Sequence, residues 1–257
     1  MPEHAAHRSR WPVVGAAGAG LLYAGVAMYA LGAATGLFPG VVGGVAALVG
    51  GLLAAGGLVG WLDEAFLGDR ITGAETPLYR QTMLLFLGTD VATFAAGFVY
   101  YAFVRVGAWP PADLPGGLLG ALVVANTAVL LVSSGTYHLA VSALDSGNET
   151  RFTRLLGVTL LLGVVFLGGQ AYEYVELLHE GFGVTGVFAS AFYGLTALHG
   201  LHVALGVVLI GIVFTRARRG AYAEGHTSVE TVELYWHFVD AVWLFLVVVL
   251  YVGATVG

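Results

Sequence analysis

The stretch 233-ELYWHFVDAVWLFLVVVLYVG-253 changes character halfway along. Its first half carries Glu233, Tyr235, Trp236, His237, Asp240 and Trp243, whereas its second half is almost wholly Leu, Val, Phe and Tyr. A run of roughly 20 apolar residues is what a helix needs to cross a bilayer, so the stretch predicts a spanning helix with one polar end. Spacings of four and three residues put Glu233, His237 and Asp240 on one stripe of that helix. Ionisable groups at this depth are costly in lipid, which points to a protein-facing or water-facing role.

The same apolar length recurs through the chain. With 58% hydrophobic residues, 10% charged residues and a mean hydropathy of +0.85, the composition is that of an integral membrane protein. Seven segments qualify as spans, at 11–33, 37–62, 81–104, 117–141, 155–177, 187–214 and 234–256, predicting an all-α, seven-helix fold. The first follows a short basic HRSR run, but it is longer than the apolar core of a secretory signal and is expected to be a retained span. If the N-terminus lies inside, the inner segments hold Arg8, Arg10, Arg70, Arg80, Arg151, Arg154, Arg216, Arg218 and Arg219, and the outer ones only Arg105. This asymmetry predicts a multi-pass cell-membrane protein with its N-terminus inside and its C-terminus outside.

Spans one and two are rich in glycine and alanine, with small residues paired four apart at Gly40/Gly44 and Gly56/Gly60. Such faces admit close backbone approach, so residues 1–67 are expected to form a tight two-helix hairpin. Residues 68–80 form a charged inner connection, and 81–257 a five-helix bundle. Arg70, Arg80 and Arg219 stand where lipid headgroups would be met.

Several functions are excluded. The absence of cysteine rules out thiolate metal sites, iron–sulfur clusters, disulfides and Cys nucleophiles. All ten basic residues are arginine, so no lysine is available for a retinal Schiff base. There is neither a Gly-rich phosphate loop nor a basic patch for nucleic acid. No internal repeat is visible, which argues against a transporter built from duplicated halves.

The remaining candidates are polar groups inside the spans. Asp90 in span three is an isolated acid, expensive if ionised; it reads as a proton-carrying or partner-binding group, or as a buried acid bonded to a neighbouring helix. Asn126, Thr127, Ser133, Ser134 and Thr136 line span four and read as helix packing, with His138 facing headgroups near its inner end. Gln170, Glu173, Tyr174 and Glu176 crowd the outer end of span five and read as a solvated helix end, with a site for a cation or a basic partner as the alternative. His199 and His202 share a face of span six; haem or metal ligation and an interhelical bond, with Asp90 as a candidate partner, are both open. Only His138, His199, His202 and His237 lie within spans, so one bis-His haem is arithmetically possible, whereas two haems and a copper are not.

LFLGTDVATFAAGFVYYAF, NTAVLLVSSGTYH, LLGVVFLGGQAYEYVE, FYGLTALHGLHVALG and ELYWHFVDAVWLFLVVVLY, in that order, resemble subunit III of haem–copper oxidases of the cytochrome c oxidase type. These stretches cover spans three to seven; the first two match by number and position. The resemblance implies an accessory subunit packed on catalytic subunit I, supporting proton uptake and stabilising the catalytic core of an enzyme that reduces oxygen to water. Haem and copper would sit in partner subunits, with no catalytic, cofactor or metal residue in this chain, and structural lipids would fill a V-shaped cleft between spans one to two and three to seven. Asp90 stands where the family usually has a buried Glu. Glu173 and Tyr174 match its Glu-Tyr pair, His199 and His202 its HGxH string, and His237 and Asp240 its HFVD string. A quinol oxidase or nitric oxide reductase subunit is an alternative within the family; a haem-bearing membrane cytochrome is one outside it.

Overall fold

Seven helices long and apolar enough to cross a membrane are present among the described residues of the computed structural model, which are 10–36, 39–62, 78–106, 115, 118–222 and 227–255. They are α1 (Trp11–Thr35), α2 (Gly40–Leu62), α3 (Leu78–Val106), α4 (Ala121–Asp145), α5 (Glu149–His179), α6 (Val187–Arg218) and α7 (Thr227–Leu246). A six-residue π-helical segment, Val247–Val252, extends α7 and ends in the short helical turn Gly253–Thr255. Two compact units result, one built on α1 and α2 and the other on α3 to α7. Arg70 and most of the 68–80 connection lie outside the described residues.

In the first unit the hairpin forms as expected, but on other glycines. A Cβ at Gly43, Gly50 or Gly57 of α2 would overlap the backbone of Tyr29, Leu22 or Gly15, and one at Gly18 or Gly25 of α1 would overlap that of Ala54 or Ala47. Gly43, Gly50 and Gly57 recur every seven residues, the repeat that keeps one seam against a partner helix. The pairs predicted from four-residue spacing lie largely off this seam. Nothing is within 4 Å of a Cβ at Gly44 or Gly56, and Gly40 meets only the Tyr29 ring; Gly60 alone is tightly packed, against Trp11.

Local sequence sets the turns of the second unit. Gly147 takes φ 76° and lets α4 end, its N–H bonding to the Leu144 carbonyl while that of Asn148 bonds to Ala143. Asn148 then caps α5, its side chain accepting from the Arg151 N–H at 3.0 Å. This cap starts α5 six residues before the apolar run suggests. At 31 residues α5 is roughly 46 Å long, well beyond the ~30 Å hydrocarbon core. Helix α7 likewise begins seven residues early, so Glu233 lies well inside it rather than at its mouth.

The interior of the second unit is aromatic and hydroxylic. Trp236 and Trp243 are fully buried. Their indole N–H groups donate to Ser133 Oγ and Thr127 Oγ1 of α4, each at 3.0 Å. Those hydroxyls in turn donate to the Leu130 and Val123 carbonyls of their own helix. Glycine makes room for the larger ring: a Cβ at Gly206 of α6 or Gly163 of α5 would come within about 3 Å of Trp236. The polar line of α4 is therefore packing, as expected: Thr127 and Ser133 meet α7, while Asn126 donates to the Phe166 carbonyl and Thr136 meets Thr159 Oγ1, both of α5. Large apolar side chains such as Leu85, Phe103, Leu161 and Leu201 point outward, as on a lipid-facing surface.

Candidate functional site

Three polar groupings lie within the α3–α7 unit. The first joins α4 and α7. His138 Nδ1 is 3.1 Å from Glu233 Oε1, and His237 Nε2 is 3.5 Å from the same oxygen. His237 Nδ1 lies 3.3 Å from Ser134 Oγ, and the Asp240 carboxyl also neighbours Ser134. The predicted stripe of Glu233, His237 and Asp240 is thus real, and α4 completes it. His138, expected to face headgroups, is paired with Glu233 while its side chain stays 74% exposed. A groove of about 320 Å³ opens beside the group, lined by Arg80, Val141, Glu230, Glu233, Leu234 and His237.

The second grouping joins α3, α6 and α7. His202 Nε2 lies 3.5 Å from Asp90 Oδ2, the interhelical partnership considered from sequence, although Oδ2 makes no hydrogen bond. The His202 ring packs on Phe94 at 5.0 Å, its Nδ1 bonds to the Leu198 carbonyl at 2.7 Å, and Tyr235 OH donates to the His202 carbonyl. His199 is separate from this pair. It is fully buried, stacks on Trp243 at 5.2 Å and 25°, meets the Phe166 ring edge-on, and neither of its nitrogens is hydrogen-bonded. The two rings thus have different surroundings, aromatic for His199 and a carboxylate, a phenyl ring and a carbonyl for His202.

The third grouping corrects an expectation. Glu173 is no solvated helix end: it is buried, accepting from Gln170 Nε2 at 2.8 Å and from Tyr251 OH at 3.2 Å. Tyr174 OH donates to Thr196 Oγ1 of α6 at 2.7 Å. Only Glu176 fits the solvated picture, accepting from the exposed Tyr172 OH. The π-helical segment brings Tyr251 here, and carbonyls in it and just beyond it accept from α3. Tyr101 OH donates to Val249 O at 3.1 Å, and Arg105 Nη1 donates to Gly253 O. Sequence reasoning did not single out Tyr101, Arg105 or Tyr251 for this; their polar tips at the ends of apolar runs were the available signal. Of the arginines suggested for lipid headgroups, Arg80 is exposed at the α7 groove and Arg219 is exposed just beyond α6.

A polytopic helical membrane protein, with polar groups bonded both within and between its helices, is the class these features define. The model of the family described as cytochrome c oxidase subunit III matches residues 2–255. The cytochrome c oxidase subunit 3 of Synechocystis sp. is 40% identical over 173 residues, covering 66% of this chain and 73% of the relative. That of Anopheles gambiae is 32% identical over 265 residues, covering 97% of this chain and 96% of the relative. The cytochrome bo(3) ubiquinol oxidase subunit 3 of Pseudomonas aeruginosa is 37% identical over 175 residues, covering 65% and 81% respectively.

The chain belongs to the cytochrome c oxidase subunit III family. It is a multi-pass membrane protein and part of a haem–copper oxidase complex. The family match extends over α1 and α2, which the sequence motifs had left to number and position.

Proposed function

We propose that this chain is a non-redox accessory subunit that packs directly on catalytic subunit I of a terminal oxidase reducing oxygen to water, sustaining its structure and its proton uptake. The observation that carries this reading is the engagement of the spanning histidines. His202 is held by Asp90, Phe94 and the Leu198 carbonyl, and His199, though its nitrogens are unbonded, is stacked on Trp243 with Phe166 edge-on, which supports a packing role for both rings. Haem and copper then belong to the partner subunits. The Asp90–His202 pair and the Glu233–His237–Asp240 stripe order the helix faces and water near subunit I, and Glu173 and Tyr174 fix the far end of the bundle. With the N-terminus inside and the C-terminus outside, the α7 stripe lies on the side from which protons are taken up. Residues 1–67 and 81–257 act as two packing bodies joined by 68–80, with structural lipids around them and Arg70, Arg80 and Arg219 meeting headgroups.

The test replaces Asp90 with Ala and His237 with Ala and follows assembly, proton uptake and activity over many turnovers in the purified complex. Both variants are expected to assemble, and to lose activity faster during turnover than the parent. Unchanged assembly, proton uptake and turnover lifetime in both would refute the role. A quinol donor is the second reading, favoured by the likeness to the ubiquinol oxidase subunit of Pseudomonas aeruginosa. Identifying the chains that co-purify in mild detergent decides between the two donors.

A further inference from the structure

Two histidines and a glutamate from two helices converge beside the groove on α7. Glu233 and His237 are one turn apart, so their side chains leave the same face, and His138 reaches them from α4. The three donor atoms, one per residue, all lie within 4.8 Å of one another. A tetrahedral zinc with ligands at 2.0–2.1 Å separates neighbouring donor atoms by about 3.4 Å. The two measured edges of this triangle are 3.1 and 3.5 Å, so the donors already stand at coordination spacing. The third edge, between the two imidazole nitrogens, is no longer than 4.8 Å, and the 74% exposed side chain of His138 has room to close it.

We propose that His138 Nδ1, Glu233 Oε1 and His237 Nε2 form a binding site for one divalent transition cation of the zinc class. Imidazole and carboxylate donors suit such an ion, and two His with one Glu is a ligand set that zinc accepts with water in the fourth position. The groove alongside gives that position access to solvent. Ser134 supplies outer support: its Oγ lies 3.3 Å from His237 Nδ1, so a proton on that nitrogen leaves Nε2 as the ligand. Charge around the site also suits a cation, since Glu230 and Glu233 line the groove against the single Arg80. In the ion-free protein His138 and His237 share the Glu233 oxygen; an ion takes the place of the protons between them.

The full chain, purified in mild detergent and stripped with a chelator, is titrated with Zn2+ and separately with Co2+. The expected result is one tightly held Zn2+ per chain, together with the visible absorption of four-coordinate Co2+, bleached when Zn2+ displaces it. His138→Gln changes an exposed side chain and should leave the helical circular dichroism intact while weakening Zn2+ by at least about tenfold and abolishing the Co2+ bands. Glu233→Gln should do the same, whereas His179→Ala, at the C-terminal end of α5, should change neither. The proposal is overturned if the parent holds no stoichiometric Zn2+, or if a helical His138→Gln chain keeps the parent's affinity and Co2+ spectrum.

Discussion

The α1–α2 hairpin and the α3–α7 bundle solve helix association in opposite ways. In the hairpin, side chains are removed: Gly18 and Gly25 face Ala54 and Ala47, and Gly43, Gly50 and Gly57 face Tyr29, Leu22 and Gly15, so that backbone meets backbone. In the bundle, the largest side chains are inserted, Trp236 and Trp243 filling the interior with their N–H groups bonded to α4 hydroxyls. Lipid tails are as apolar as leucine, so neither arrangement draws on a hydrophobic force between helices; each maximises dispersion contact by a different route. The lesson is that glycine content says little by itself. Glycine serves the hairpin as the contact surface and serves the bundle, at Gly163 and Gly206, as the recess for an indole.

Removing the insert should break the bundle most. Trp236→Ala leaves a ring-sized void between Gly163 and Gly206 and takes away the donor to Ser133, and should cost about 3–5 kcal/mol, read from the midpoint of unfolding in mixed detergent. Filling the seam comes next, and two adjacent glycines make the comparison sharp. Gly43→Ala should separate α1 from α2 and cost about 1–3 kcal/mol. Gly44→Ala, with open space around its Cβ, should instead stabilise the helix by about 0.5–1 kcal/mol. Equal effects at the two positions would mean the seam does not run through Gly43. The smallest change is Ser133→Ala, which removes the acceptor of the Trp236 indole. It should cost about 0.6 kcal/mol, the average for an interhelical hydrogen bond in a membrane, and a larger loss would shift weight from ring packing to the hydrogen bond.

The hairpin and the bundle were also unequally legible in the sequence. Hydropathy alone gives the seven spans, because the bilayer imposes one length on all of them. The stripe on α7 is readable for a related reason: Glu233, His237 and Asp240 lie on one helix, where spacing fixes direction. What crosses between helices is not readable in this way. His138 meets Glu233 only because α4 and α7 pack at one particular height, and no spacing within either helix encodes that. Gly43 and Gly44 look alike in composition, yet only a seven-residue count along α2 separates seam from surface. Glu173 was misplaced because a charged residue near the end of an apolar window reads as solvated. The Asn148 cap starts α5 early, but it is Tyr251, arriving from another helix, that makes the end of α5 an interior.

The π-helical segment after α7 has an angular consequence. Counting by sevens from Trp236 and Trp243 leads to Leu250, and a regular α-helix would turn the next residue about 100° away from that row. The wider turn, in which the Gly253 N–H reaches back to the Val248 carbonyl, winds the chain less per residue, and Leu250 and Tyr251 are both fully buried. The segment therefore works as a rotational offset. It allows one continuous helix to present indoles to α4 along most of its length and then a phenol to Glu173 of α5 at its end. Deleting one residue from 247–250 would restore an ordinary helix and set the tyrosine seven residues after Trp243, on the buried row that Leu250 now holds.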